Sequence, residues 1–278
     1  MSEAITSTAN PRVKRVVALR KGHKAKEAGV LIAEGWREIE RAAGAGLTVR
    51  EAYAVGAGGV GRLAETLRVA EGATVMAVSP EVLAKMAYHR EPEGVLAVFE
   101  RPAWTWEDLE GRSRGKGGDV LVAVGMDKPG NLGAMVRTAA AAGLAGVVAA
   151  GEGAGGRGGV DVFNANAIRA STGAVFDTPV VVADEAAAID WLKTSGHRVM
   201  AAMVDGATDY RNVVSDHRSI AIVIGPEDRG LDARWRELAE ATGGGAVSIP
   251  MADGSVVDSL NASVAAGVLT YGIAHRST

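Results

Sequence analysis

Three short segments of this chain each set glycine, an amide or a carboxylate at the edge of an apolar run. They are DKPGNLGAMVRTAAAAG at 127–143, IGPEDRGL at 224–231 and IPMADGSVVDSLNASVA at 249–265. Such blocks mark the places where a strand stops and a loop or helix begins, so together they constrain the fold strongly. The apolar runs before them read as strands Val120–Val124, Ile220–Ile224 and Val247–Ile249. Further strands are expected at Gly146–Ala150, Val180–Val182 and His197–Ala202. Near-continuous apolar strands separated by helical stretches argue for a parallel sheet covered on both faces. Ligands of such sheets bind beyond the carboxyl ends of the strands, which is where all the blocks fall. The first block predicts Asn131 in a turn, followed by a helix from about Leu132 to Ala142 that carries Arg137. In the second, Gly225 and Glu227 follow a strand. In the third, Ser259 and Asn261 stand at the start of another helix.

These blocks resemble the motifs of the SpoU/TrmH branch of the SPOUT methyltransferases, which move a methyl group from S-adenosylmethionine to a ribose 2′-hydroxyl of RNA. The matching residues are Asn131, Gly133 and Arg137; Gly225, Glu227 and Gly230; and Ile249, Pro250, Met251, Ser259, Leu260 and Asn261. One departure is that Ile249 to Leu260 is slightly longer than is usual in the family. The resemblance implies an α/β C-terminal domain with a trefoil knot, a mainly parallel sheet and helices on both faces. Knots are nearly absent among folds, so that expectation comes from the motifs alone. It also implies S-adenosylmethionine as cofactor, held by the loops at Gly225, Ile249, Met251 and Leu260. Arg137 would be the catalytic residue, with Asn131, Ser259 and Asn261 orienting the ribose and Glu227 fixing a loop. A guanidinium is effectively always protonated. A clamp on phosphate that stabilises a developing alkoxide is therefore the better role for such an arginine than that of base. Homodimerisation through the knotted domain is implied as well.

Residues 1–99 alternate strand-like and helical stretches and read as a smaller α/β domain. This part resembles the family's N-terminal substrate-binding domain, which is similar to small RNA-binding ribosomal proteins, with landmarks Asn10-Pro11, Glu34-Gly35 and Gly94-Val95. A separate domain of this kind favours ribosomal RNA over tRNA as the substrate. Some ribosomal members confer antibiotic resistance, and nothing in the sequence decides that. Net charge is −3, yet a basic helix is expected at 11–28, carrying Arg12, Lys14, Arg15, Arg20, Lys21, Lys24 and Lys26. Contact with an RNA backbone and a solvated helix face are the two readings of this cluster. Beside the methyltransferase motifs, the first is preferred. The polar, glycine-rich stretch 100–118 reads as a linker, with Trp104 and Trp106 anchoring it to a domain surface in preference to stacking on RNA bases, and 119–278 as the knotted domain.

Other chemistries find less support. There is no cysteine, and the five histidines lack ligand spacing, so no metal is expected. No long apolar stretch suggests a membrane span and the N-terminus has no signal-peptide core, which predicts a cytoplasmic protein. A literal G-x-G-x-x-G occurs at Gly151, Gly153 and Gly156. The further glycines at 155, 158 and 159 make a poor helix, so a surface loop is preferred to a dinucleotide site. Arg169, Ser171, Thr172 and Gly173 suit either a cap and tight turn or the surroundings of a target nucleotide. Asp205-Gly206 reads as a turn in preference to a cofactor rim. Two other function classes remain open: a catalytically silent RNA-binding or ribosome assembly protein, and a nucleotide-dependent oxidoreductase.

Overall fold

The computed structural model describes residues 4–67, 74–113, 118–151, 160–214 and 218–274. It divides into two compact units, Met1–Ala103 with Phe163–Asp177, and Trp104–Val162 with Thr178–Thr278. The G-x-G-x-x-G stretch beyond Gly151 lies outside the described residues.

In the first unit α1 (Pro11–Leu19) and α2 (Gly22–Glu27) precede β1 (Val30–Glu34) and α3 (Trp36–Gly44). Then come β2 (Val49–Val55), α4 (Gly56–Thr66), β3 (Thr74–Val78), α5 (Pro80–Met86) and β4 (Val95–Glu100). The four-stranded sheet has the order β1-β4-β2-β3, with β4 antiparallel to both its neighbours and β2 parallel to β3. Its core takes Val13, Val16 and Leu19 from α1 and Val82, Leu83 and Met86 from α5, packed on Tyr53, Leu96 and Val98. The expected single helix over 11–28 is two. Lys21 is extended at φ −75°, ψ 104°, and Tyr88 Oη donates to the carbonyl of Arg20 at 2.9 Å. That bond satisfies a carbonyl the helix leaves open at its end. Asn10 caps α1 by accepting from the amide of Arg12 at 2.9 Å.

The second unit runs α6 (Trp106–Ser113), β5 (Val120–Val124), α7 (Pro129–Ala141) and β6 (Gly146–Ala150). Helix α8 (Ala165–Ala170) follows in sequence but packs with the first unit. The second unit resumes with β7 (Val180–Ala183), α9 (Glu185–Thr194), β8 (Arg198–Ala202), β9 (Thr208–Asp209), β10 (Ile220–Ile224), α10 (Ala233–Ala241), β11 (Gly245–Ser248) and α11 (Ala262–Ile273). All seven strands are parallel, in the order β7-β6-β5-β10-β8-β11-β9. Strands β5 and β10 are buried along their whole length, which is why they are apolar at every position and not alternately. Trp106 stacks on Trp191 with centroids 4.9 Å apart, and Trp191 donates its indole N–H to Glu110 at 3.0 Å. Because the strands share one direction, the loops after β5, β10 and β11 leave the sheet at the same end.

Candidate functional site

Each motif block has a local reason for its shape. Helix α7 begins at Pro129, earlier than expected, because proline at the first helical position has its φ preset and no N–H to waste. Asn131 therefore lies in the first turn of the helix and not in a turn ahead of it. After β10 the chain folds back so tightly that a Cβ on Gly225 would lie 2.6 Å from the carbonyl carbon of Gly230. The amide of Gly230 bonds the carbonyl of Pro226 at 3.0 Å, and Glu227 sits on this turn. Asn261 caps α11, its Oδ1 accepting from the amides of Ser263 at 3.0 Å and Val264 at 3.4 Å.

Glu227 joins the three blocks. Its Oε1 accepts from Asn131 Nδ2 at 2.9 Å, from Asn261 Nδ2 and from the amide of Ala262 at 3.3 Å. Asn261 also donates to Asn131 Oδ1 at 3.2 Å. Glu227 Oε2 pairs with the ammonium of Lys128. These bonds hold the carboxyl below the usual carboxylate range, the Lys128 hydrogen bond first, then those from Asn131 and the Ala262 amide. The same pairing raises Lys128. Sequence reasoning alone misses Lys128. A readable signal exists: a cation at a helix N-terminus opposes the macrodipole, so a lysine just before Pro129 needs a carboxylate partner.

A cavity of about 720 Å³ opens beside this network at the ends of β8, β10 and β11. Gly225, Ile249, Met251, Ser259 and Leu260 line it together with Glu227, and Val247, Ala265 and Leu269 give it an apolar wall. Ser259 donates to Asp258 at 3.0 Å and takes no part in the Glu227 network. The slightly long loop turns at Ser255, whose hydroxyl donates to the carbonyl of Val257 at 3.0 Å and leaves Val256 fully exposed. Arg137 stands apart from both groups. It is exposed on α7 and makes no hydrogen bond or ion pair with another described residue. Asp205 and Gly206 form a turn whose carbonyls are held by Arg236, and Asp205 also lines the cavity. The turn expected for that dipeptide is present.

In the first unit Arg12, Lys14, Arg15, Lys21 and Lys24 are all exposed. Arg15 is committed elsewhere, because its guanidinium pairs with Glu51, which is only 3% exposed. Arg12 reaches Met76 Sδ at 3.5 Å. Burial, then the neighbouring Glu51, pushes the Tyr53 hydroxyl up. Ser171 is fully buried and donates to the carbonyl of Ile168 at 2.8 Å. Thr172 has φ +53°, and its hydroxyl accepts from Arg41 at 2.7 Å. This segment is a tight turn closing α8.

A parallel sheet with a nucleotide-sized cavity at its strand ends, edged by charged and amide side chains, defines an α/β ligand-binding domain of the enzyme type. Residues 119–271 match the SpoU rRNA Methylase family, and residues 10–97 match the MRM3-like substrate binding domain. The chain belongs to the SpoU rRNA methylase family, and the α/β fold class expected from the motifs stands. An AdoMet-bound rRNA methyltransferase from Sinorhizobium meliloti is 29% identical, covers 99% of this chain and 98% of its own, and superposes with a TM-score of 0.83. A solved RNA 2′-O ribose methyltransferase is 35% identical with 99% of both chains covered and a TM-score of 0.80. A 23S rRNA (adenosine(1067)-2′-O)-methyltransferase of Streptomyces laurentii is 29% identical, the match covering 99% of this chain and 96% of the relative. The match to a putative TrmH family tRNA/rRNA methyltransferase of Staphylococcus haemolyticus (strain JCSC1435), at 36% identity, covers 63% of this chain and spans 64% of that relative's length.

Proposed function

We propose that this chain is an S-adenosylmethionine-dependent methyltransferase acting on a ribose 2′-hydroxyl of ribosomal RNA. The observation that carries the reading is the Glu227 network, which ties all the motif blocks into one site beside the cavity. The residues present fit the cofactor: the cavity is within the usual range for such ligands, roughly 300–1,000 Å³. Its walls combine aliphatic side chains with the loop backbone around Gly225 and Ile249–Met251. When bound, the cofactor supplies an electrophilic methyl group on a sulfonium. The protein's part is to orient and to exclude water. Leu260 and Leu269 add apolar surface that would help exclude water around the bound cofactor, which favours a reaction whose charges cancel. Asn131 and Asn261, held by Glu227, would orient the ribose, with Ser259 at the cavity edge. Arg137, exposed and without a partner among the described residues, is suited to clamp phosphate and steady a developing alkoxide.

Metal-free binding is the first expected result. Calorimetric titration of chelator-treated protein should show S-adenosylmethionine binding. No binding, or binding only after metal is added, contradicts the reading. A homodimer fits α11, whose exposed Val264 and Tyr271 lie on the helix that packs along α7.

The first unit is proposed to hold the RNA. Neutralising Lys14, Lys21 and Lys24 to glutamine, with Arg15 left to its buried Glu51, should weaken RNA binding. It should also flatten the dependence of log affinity on log salt, by about one for each phosphate no longer neutralised. Affinity measured across a salt series decides; an unchanged slope assigns these lysines to a solvated face.

A further inference from the structure

We propose that Arg229 is the recognition residue for the carboxylate of the cofactor's methionine end. This rests on the cofactor reading above. Two arginines line the cavity, Arg229 and Arg236. Arg236 is occupied, its guanidinium donating to the carbonyls of Asp205 and Gly206. Arg229 makes no hydrogen bond or ion pair with any other described residue. The nearby Glu227 is fully engaged by Lys128, Asn131, Asn261 and the Ala262 amide. Arg229 is therefore the lining cation with nothing yet to bind, among the described residues.

Its placement is built. The guanidinium lies over the carboxyl end of β5, where a Cβ on Gly125 would come within 3.0 Å of Arg229 Nη2. The absence of a side chain at Gly125, which has φ +58°, makes room for the cation beside the ring of Pro226. Gly125 is itself fixed, its amide bonding the carbonyl of Ala150 at 2.7 Å. A planar guanidinium presents paired donors that match a carboxylate. On a residue that lines a cavity with an aliphatic wall, it gains most from an anion delivered there by the ligand. S-adenosylmethionine carries one carboxylate, at the end remote from the adenine. Such an anion suits this site better than a phosphate of RNA, because Arg229 shares its cavity with the proposed cofactor loops.

A ligand pair and a variant isolate the contact. Calorimetry would compare S-adenosylmethionine with decarboxylated S-adenosylmethionine, on the wild type and on Arg229→Met. The wild type should prefer the carboxylated ligand by about ten- to a hundredfold, the range for hydrogen bonds to a charged group. Arg229→Met should bind both at the wild type's affinity for the decarboxylated form, and Arg229→Lys should recover part of the preference. A wild type that does not discriminate, or an Arg229→Met variant that still does, overturns the proposal. Loss of RNA affinity with cofactor preference intact overturns it too and makes Arg229 a phosphate contact. If the wild type binds neither ligand, the cofactor reading itself fails.

Discussion

Arg137→Ala is expected to abolish methyl transfer while leaving S-adenosylmethionine affinity nearly unchanged. Arg137 lies outside the cavity lining and is exposed without a partner among the described residues, so its removal leaves the pocket intact. What it removes is the charged donor proposed to meet the reacting RNA. Loss of one such donor in other enzymes costs about a hundred- to a thousandfold in turnover. Arg137→Lys should rescue poorly, because an ammonium cannot reproduce the planar fork. Single-turnover methyl transfer, measured beside calorimetry of cofactor binding, separates the two effects. Near-normal turnover in the alanine variant would reduce Arg137 to a surface residue.

Glu227→Gln is expected to damage both binding and turnover. The substituted amide turns a donor toward Lys128, leaving that ammonium without its acceptor, while the oxygen shared by Asn131, Asn261 and the Ala262 amide loses its negative charge and holds them less firmly. Cofactor affinity should fall roughly tenfold, as for loss of a charge-assisted hydrogen bond, with a larger fall in turnover because the amides proposed to orient the ribose are held less firmly. The pH dependence follows from the same bonds. The Glu227 carboxyl is depressed in the folded state, first by Lys128. Its contribution is therefore complete above the ordinary carboxylate value of about 4.3 and is lost only as pH falls through the depressed value. Calorimetry and rate measurements down to mildly acidic pH should show the wild-type site intact where an unassisted carboxylate would begin to fail.

Much of this architecture is legible in the chain. Strands β5 and β10 are apolar at every position because both faces are covered, and that pattern needs no structure to read. Asn131, Glu227 and Asn261 stand out because amides and acids at strand ends are rarely packing residues. Lys128 is only half legible: its place before a helix-starting proline calls for a carboxylate partner, but nothing local says that the partner is Glu227, nearly a hundred positions away. The commitment of Arg15 is equally hidden, because Glu51 sits in a strand with nothing local to mark its burial. The break at Arg20 and Lys21 depends on Tyr88, another distant residue. Local propensity carries elements; long-range pairing carries which charges are free.

The same distinction explains the segment Phe163–Asp177. Its capping asparagine and its turn at Thr172 and Gly173 are local features, visible in NANAIRASTG. Its packing with α3 and β1 is not, because Arg41 binds Thr172 across a long stretch of chain.

The most direct test is to incubate purified protein with methyl-labelled S-adenosylmethionine and ribosomal RNA, then map the label by nucleoside mass spectrometry. We predict label on a ribose 2′-oxygen at a defined nucleotide of ribosomal RNA, absent when Arg137→Ala protein is used. Label on a base, on tRNA in place of ribosomal RNA, or no transfer at all would contradict the account.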